Sequence, residues 1–215
     1  MPLLTPSPTH PPTCPRCSRP LRTCLCGWVR PTANQVSVLL LQHPLEASHA
    51  KGSAALLHLS LARCHREVGE QFDEAVLQPW LGPPGHAVLL YPATQRAGPS
   101  GPDAADASAP NLFVPNASTD LAKLCLVVLD ATWRKSRKML HSNPLLTQLP
   151  RLSLQAPPPS RYSIRKAQQP HQRSTLEATA LALQQLEGDE QRYQPLLQAF
   201  EGFVAERRCL ANLLS

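Results

Sequence analysis

Residues 124–133 read LCLVVLDATW, and the fold turns on them. Leu124–Leu129 is an unbroken apolar run between Lys123 and Asp130. A short run without polar alternation predicts a strand buried on both faces of a sheet. The segment that follows, Arg134–Leu140 (RKSRKML), has helix-forming composition, so the chain passes from strand to helix at Asp130–Trp133. In open α/β sheets, ligands bind beyond the carboxyl ends of strands. A helix that starts near Thr132 points its amide N–H groups and its dipole at whatever binds there. Asp130 supplies a carboxylate at that place and Trp133 an aromatic face. Residue type alone leaves a second reading open, in which Asp130 caps the helix and Trp133 packs in the core.

Outward from this stretch, Gln35–Leu41 (QVSVLLL), Ala87–Leu90 (AVLL) and Arg151–Leu154 predict three further strands. Ser48 stands where it can cap a helix carrying Ala55, Leu56, Leu59 and Ala62. Thr175–Leu186 and Gln191–Leu210 predict two C-terminal helices. Strands alternating with helices indicate an α/β domain with a largely parallel sheet. Its expected limits are 31–215, behind a proline-rich, disordered leader at 1–12 and a cysteine knuckle at 13–30. Residues 95–118, rich in Ala, Pro, Ser, Gly and Asp, predict one long surface loop.

Composition narrows the function classes. The 215 residues suffice for one ordinary domain. Proline, 24 in number, is about twice the usual share, which excludes a coiled coil or long-helix bundle. No stretch approaches the roughly 18 apolar residues of a membrane span. The N-terminus has no apolar core of a secretory signal and no arginine-rich presequence, so a cytoplasmic protein is expected. No stable protein partner is expected, and the sequence does not specify an oligomeric state.

The net charge of +6 is unevenly placed. Ala131 to Arg173 holds nine Lys or Arg residues and no Asp or Glu, where chance at this composition would place about three acids. A one-signed stretch of that length attracts phosphate. Of seven cysteines, four crowd into Cys14-x2-Cys17-x6-Cys24-x-Cys26. Thiolates at such spacing suit tetrahedral zinc, and so small a knuckle needs metal to supply its folding energy. Cys64, in the predicted helix, Cys125 and Cys209 are expected to be small buried residues.

Several of these segments together resemble the DTW-domain family, named for a D-x-T-W sequence. They are the cysteine knuckle, Leu39–Ala50 (LLLQHPLEASHA), Leu90-Tyr91-Pro92, LVVLDATWRKSRKM, Pro159-Ser160-Arg161-Tyr162 with Ile164-Arg165-Lys166, and Ser174-Thr175-Leu176-Glu177-Ala178. The resemblance implies a SPOUT-like α/β domain with a C-terminal knotted region that binds S-adenosylmethionine. It also implies transfer of the 3-amino-3-carboxypropyl group to N3 of a uridine in the tRNA variable loop, with release of methylthioadenosine. Two alternatives are an S-adenosylmethionine-dependent RNA methyltransferase and a non-catalytic zinc-containing RNA-binding protein.

Under that resemblance the residues acquire expected roles. Asp130 is the candidate general base, or else a ligand of the cofactor's ammonium or ribose. Leu90, Tyr91, Pro92, Thr132 and Trp133 line the cofactor or target base. Ser174 and Thr175 bind the amino acid end, with Arg165 for its carboxylate. Arg134, Lys135, Arg137 and Lys138, with Arg161, Tyr162 and Lys166, are the candidate tRNA contacts, the aromatic ring offering a stacking face. Ser174 and Glu177 form an S-x-x-E capping box.

Overall fold

The computed structural model describes residues 12–47, 53–92, 111–116, 118–155 and 173–213. Five strands, β1 (Ser37–Gln42), β2 (Cys64–Val68), β3 (Ala87–Leu90), β4 (Cys125–Asp130) and β5 (Arg151–Leu152), form one sheet in the order β2-β1-β4-β3-β5. Every neighbouring pair is parallel. The helices are α1 (Pro44–Ala47), α2 (Ser53–Ser60), α3 (Glu74–Leu81), α4 (Trp133–Ser142), α5 (Pro144–Thr147), α6 (Thr175–Glu187) and α7 (Glu190–Leu213).

Side-chain alternation sends each central strand to two cores. Val38 and Leu40 of β1, with Leu126 and Val128 of β4, pack beneath α2, α6 and α7. Leu39, Leu41 and Val127 face the opposite layer, against Leu77, Leu81, Met139, Leu140 and Leu146 of α3, α4 and α5. The continuous apolar strands are thus covered on both faces, as the sequence implied. α6 is fixed at both ends. Ser174 and Glu177 complete the capping box at its start, and Gly188 adopts φ 66° at its end. Glu187 accepts hydrogen bonds from the amides of Gln35 (2.8 Å) and Val36 (3.0 Å), which ties α6 to the entrance of β1.

The cysteine knuckle is seated on α7. Leu25 and Val29 enter the core with Phe200 and Phe203, and Trp28 donates through its indole N–H to Glu206 at 3.0 Å. The indole lies where a side chain at position 202 would be, so Gly202 is required by close approach.

The structure departs from the sequence reading at four places. Cys64 begins β2, not a helix, because α2 ends at Ser60 and the chain reverses at once. β2 and α3 went unread. β2 (CHREV) is an edge strand with one half-polar face, and α3 buries only Leu77 and Leu81 and carries Pro79. Cys209 is exposed, not buried, because it lies on the outer side of α7. Within the expected loop, Phe113 packs against the core and Leu112 bridges to Arg151 at the edge of β5. Ser48, the leader at 1–11 and residues 93–110 lie outside the described residues.

Replacing an interior helix glycine by alanine ordinarily stabilises a helix by about 1 kcal/mol. Here the new Cβ would stand 2.2 Å from Trp28 Cζ3. Gly202→Ala is therefore expected to lower the melting temperature, and the same change made with Trp28→Ala to raise it relative to Trp28→Ala alone. Equal shifts in both backgrounds would show that the indole is not seated there.

A candidate active site where the strand order reverses, and a cysteine metal centre

The connection leaving β1 runs to β2 on one side, while that leaving β4 runs past β3 to β5 on the other. The two strands are neighbours, so the crevice where α/β proteins place ligands opens between their carboxyl ends. Gln42 and Asp130 are register partners at that point. Gln42 is 4% exposed. Its Nε2 donates to Asp130 Oδ2 at 2.7 Å, and the Thr175 hydroxyl donates to Asp130 Oδ1. Both carboxylate oxygens are thus held, one from β1 and one from the first residue of α6. The main-chain amide of His43 donates to the Asp130 carbonyl at 3.1 Å. Gln42 Oε1 is buried and lacks a hydrogen-bond partner among the described residues.

Asp130 is therefore not the cap of α4. That position belongs to Thr132, whose side chain makes no capping bond. Trp133 does not pack in the core. It is 51% exposed and meets the Tyr91 ring edge-on at 5.8 Å between centroids. Tyr91 is buried, with its hydroxyl 3.3 Å from Ser136 Oγ and the Arg151 guanidinium 5.3 Å from its ring centroid. Leu90 ends β3 beside it, and Pro92 is exposed. The structure thus brings together Asp130 and Thr175 at one point, and Tyr91 and Trp133 at another near the same strand ends.

Ser174 is spent locally. Its Oγ accepts from the Glu177 amide at 3.2 Å and donates to Glu177 Oε2 at 3.0 Å. Glu177 acts as the cap, which fixes the helix end that delivers Thr175. Arg161, Tyr162, Arg165 and Lys166 lie outside the described residues.

The basic stretch is less one-signed in space than in sequence. Lys135 pairs with the buried Glu46 carboxylate at 2.8 Å, and Lys138 with Glu70 at 3.0 Å. Glu70 also stands 3.4 Å from His43 Nε2. The Lys138 ammonium, followed by His43, holds the Glu70 carboxyl below its ordinary range. The His43 Nδ1 accepts from the Leu45 amide at 3.1 Å, so both ring nitrogens are engaged. Arg134 and Arg137 are exposed and form no ion pair among the described residues. Gln42, Glu46 and Glu70 were not singled out by the sequence. Only the position of Gln42 at the end of a continuous strand signalled it.

In the knuckle, the four sulfurs of Cys14, Cys17, Cys24 and Cys26 lie within 4.8 Å of one another. Cys14–Cys26 and Cys17–Cys24 are each 3.7 Å apart. Thiolates at ~2.3 Å from a tetrahedral zinc stand about 3.8 Å apart, so the donor set fits the metal. Ser18, at φ 54°, closes the turn. Amide N–H groups of Cys17 and then Arg16 draw the Cys14 thiol down to about 6, while burial pushes Cys26 up to about 12. A divalent cation is what would let all four ionise together. Burial likewise pushes Cys64 up to about 12 and raises Cys125, which leaves both as inert thiols.

The family model of the DTW domain matches residues 11–208. The chain belongs to the DTW-domain family. Among curated proteins it is similar to tRNA-uridine aminocarboxypropyltransferase 2 of Mus musculus, 29% identical over 202 residues, or 90% of this chain and 63% of that protein. The protein of the same name from Macaca fascicularis is 28% identical over 203 residues, with 90% and 63% covered. That from Drosophila melanogaster is 29% identical over 194 residues, with 86% and 70% covered. The chain thus spans less than two thirds of the length of the mouse and macaque proteins. No solved structure matches it.

Two outcomes test this geometry. The purified chain should carry one zinc, and chelation should expose Leu25 and Val29 and lower the melting temperature. A chain with all four knuckle cysteines changed to Ser that melts like the zinc-loaded protein would refute the metal site. For Glu70, the lowered carboxyl pKa means its pairing stabilises the fold above the ordinary carboxylate range and is lost as pH falls through the lowered value. The difference in melting temperature between the native chain and Glu70→Gln should therefore be present at neutral pH and vanish in acid.

Proposed function

We propose that this protein is a tRNA-uridine aminocarboxypropyltransferase that uses S-adenosylmethionine as donor and modifies N3 of a uridine in the tRNA variable loop. The observation that carries this reading is the Asp130 carboxylate held from both sides at the β1–β4 crevice, within a DTW-domain chain. A SPOUT-like knotted C-terminal region that binds the donor belongs to the same proposal. So does a reducing, cytoplasmic setting, which suits a thiolate knuckle.

The donor fits the residues present. A buried acceptor without a hydrogen costs about 1–3 kcal/mol. Gln42 Oε1 is such an acceptor beside Asp130, and the donor offers ammonium and ribose hydroxyl hydrogens that would satisfy it. When bound, the donor supplies a sulfonium-activated γ-carbon. The bond from uridine N3 to that carbon forms, the carbon–sulfur bond breaks, and methylthioadenosine leaves as a neutral thioether.

This chain's own residues then have defined tasks. Asp130 accepts the N3 proton, because protonated N3 is a poor nucleophile. Gln42 and Thr175 fix the direction of its lone pairs. Tyr91 and Trp133 set the aromatic wall that orients the adenine or target base, and selection of the γ-carbon over the methyl is an effect of that orientation. The amide groups at the start of α4 face the same crevice.

Incubation of the purified chain with tRNA and S-adenosylmethionine tests the reading. Methylthioadenosine and an aminocarboxypropyl uridine are expected. S-adenosylhomocysteine would instead support a methyltransferase, and tRNA binding without any product a binding protein. Asp130→Asn should lower kcat by about 10²-fold or more. Gln42→Met, which removes the clamp and keeps the volume, should lower kcat with a smaller change in the KM for tRNA. Full turnover by Asp130→Asn would remove Asp130 as the base.

A further inference from the structure

Tyr91 carries two neighbours of unlike chemistry. The Trp133 indole meets its ring at 5.8 Å between centroids, and the Arg151 guanidinium lies 5.3 Å from its centroid. Tyr91 is itself fixed, buried with its hydroxyl 3.3 Å from Ser136 Oγ. Arg151 belongs to β5, the edge strand beside β3, in register with Leu89. Its main chain is pinned from the outer side. The Arg151 amide donates to the Asn111 carbonyl at 2.7 Å, and its carbonyl accepts from the Phe113 amide at 2.9 Å. Its Nη1 donates to the Pro92 carbonyl at 3.3 Å. No carboxylate pairs with Arg151 among the described residues, and its Nε and Nη2 make no hydrogen bond there. Half of Trp133 is open to solvent. An exposed indole and a guanidinium without a counter-ion thus flank one buried ring.

We infer that Trp133, Tyr91 and Arg151 form the subsite for the target nucleotide, with the uracil on the open face of Trp133 and an adjoining backbone phosphate on Arg151. This subsite rests on the RNA-modifying reading above and deepens it by giving the RNA a place apart from the donor's. The donor's adenosine carries no phosphate, and its carboxylate is only three carbon–carbon bonds from the reacting γ-carbon. That carboxylate must stay near Asp130, whereas β5 is two strands from β4, about 10 Å at the usual strand spacing. A small-molecule pocket also buries most of its ligand, which a half-exposed indole at the rim does not offer. A base turned out of an RNA loop arrives from solvent, stacks on an aromatic face and brings its phosphate with it. Arg151 suits that phosphate because a guanidinium presents forked donors. The Tyr91 ring and the Pro92 carbonyl hold it in place before RNA binds, which lowers the entropy lost on binding.

The test compares variants of the full, zinc-loaded chain in two assays. One is binding of an unmodified tRNA transcript, read by fluorescence anisotropy across a salt series, and the other is equilibrium dialysis of S-adenosylmethionine. Arg151→Gln should raise the KM for tRNA and reduce the slope of log K against log salt by about 1, the signature of one lost phosphate contact. Arg151→Lys, which keeps the charge, should preserve the slope. Trp133→Ala should weaken tRNA binding about tenfold or more without altering the slope, and Trp133→Phe should recover most of that loss. None of the four should change the affinity for S-adenosylmethionine. Lys123→Gln, which removes a cation paired with Asp120, should bind tRNA as the native chain does. An unaltered slope in Arg151→Gln, or a loss of donor affinity in Arg151→Gln or Trp133→Ala, would overturn the inference while aminocarboxypropyl uridine formed by the native chain upheld the function. A native chain that forms no such uridine would overturn the function, and the subsite with it.

Discussion

The contact on which the site depends is the pair of hydrogen bonds that hold the Asp130 carboxylate, one from Gln42 and one from Thr175. The three residues lie in different parts of the chain and reach one point only because the sheet has the order β2-β1-β4-β3-β5. Parallel register sets Gln42 level with Asp130 across the β1–β4 pair. The α6 capping box sets the height of Thr175. A carboxylate so held cannot rotate freely, and a site whose chemistry depends on direction gains from that restriction.

Energetically the clamp is small, two charge-assisted hydrogen bonds among a large apolar interior. The two cores on either side of the sheet supply the stability, and the clamp uses their rigidity. That explains why buried polar groups gather here. Gln42, His43 and Ser174 are all buried within a few residues of a strand or helix end. Each has backbone or side-chain partners, with Gln42 Oε1 the exception that bears on ligand binding. Buried polar groups are hydrogen-bonded as a rule, so a lone unmet acceptor beside a fixed carboxylate marks where a donor is missing.

Much of this was legible in LCLVVLDATW. A continuous apolar strand followed by a polar turn and a helix placed Asp130 at the crevice and Trp133 at the start of α4 before any coordinates. S-x-x-E at 174–177 gave the cap, and four cysteines in thirteen positions gave the knuckle. What was hidden was hidden for physical reasons. β2 is an edge strand, so half its residues meet solvent and it lacks an apolar run. Gln42 ends a leucine-rich strand as an unremarkable polar residue, and its worth comes only from the cross-strand register. The basic stretch misled in one respect. Linear sequence shows no acid between Ala131 and Arg173, but Glu46 and Glu70 reach α4 from α1 and from beyond β2. Charge patterning along a chain therefore reports composition, and only the fold decides which cations remain for a partner.

The knuckle shows the same logic in the other direction. Taken as a segment it is a short, proline-rich loop with too little to bury. Docked on α7 it adds Leu25 and Val29 to the core and sets Trp28 against Gly202. α7 continues from α6 across Gly188, and the first residue of α6 holds Asp130. The cysteine cluster and the carboxylate thus share one helical pair as their support.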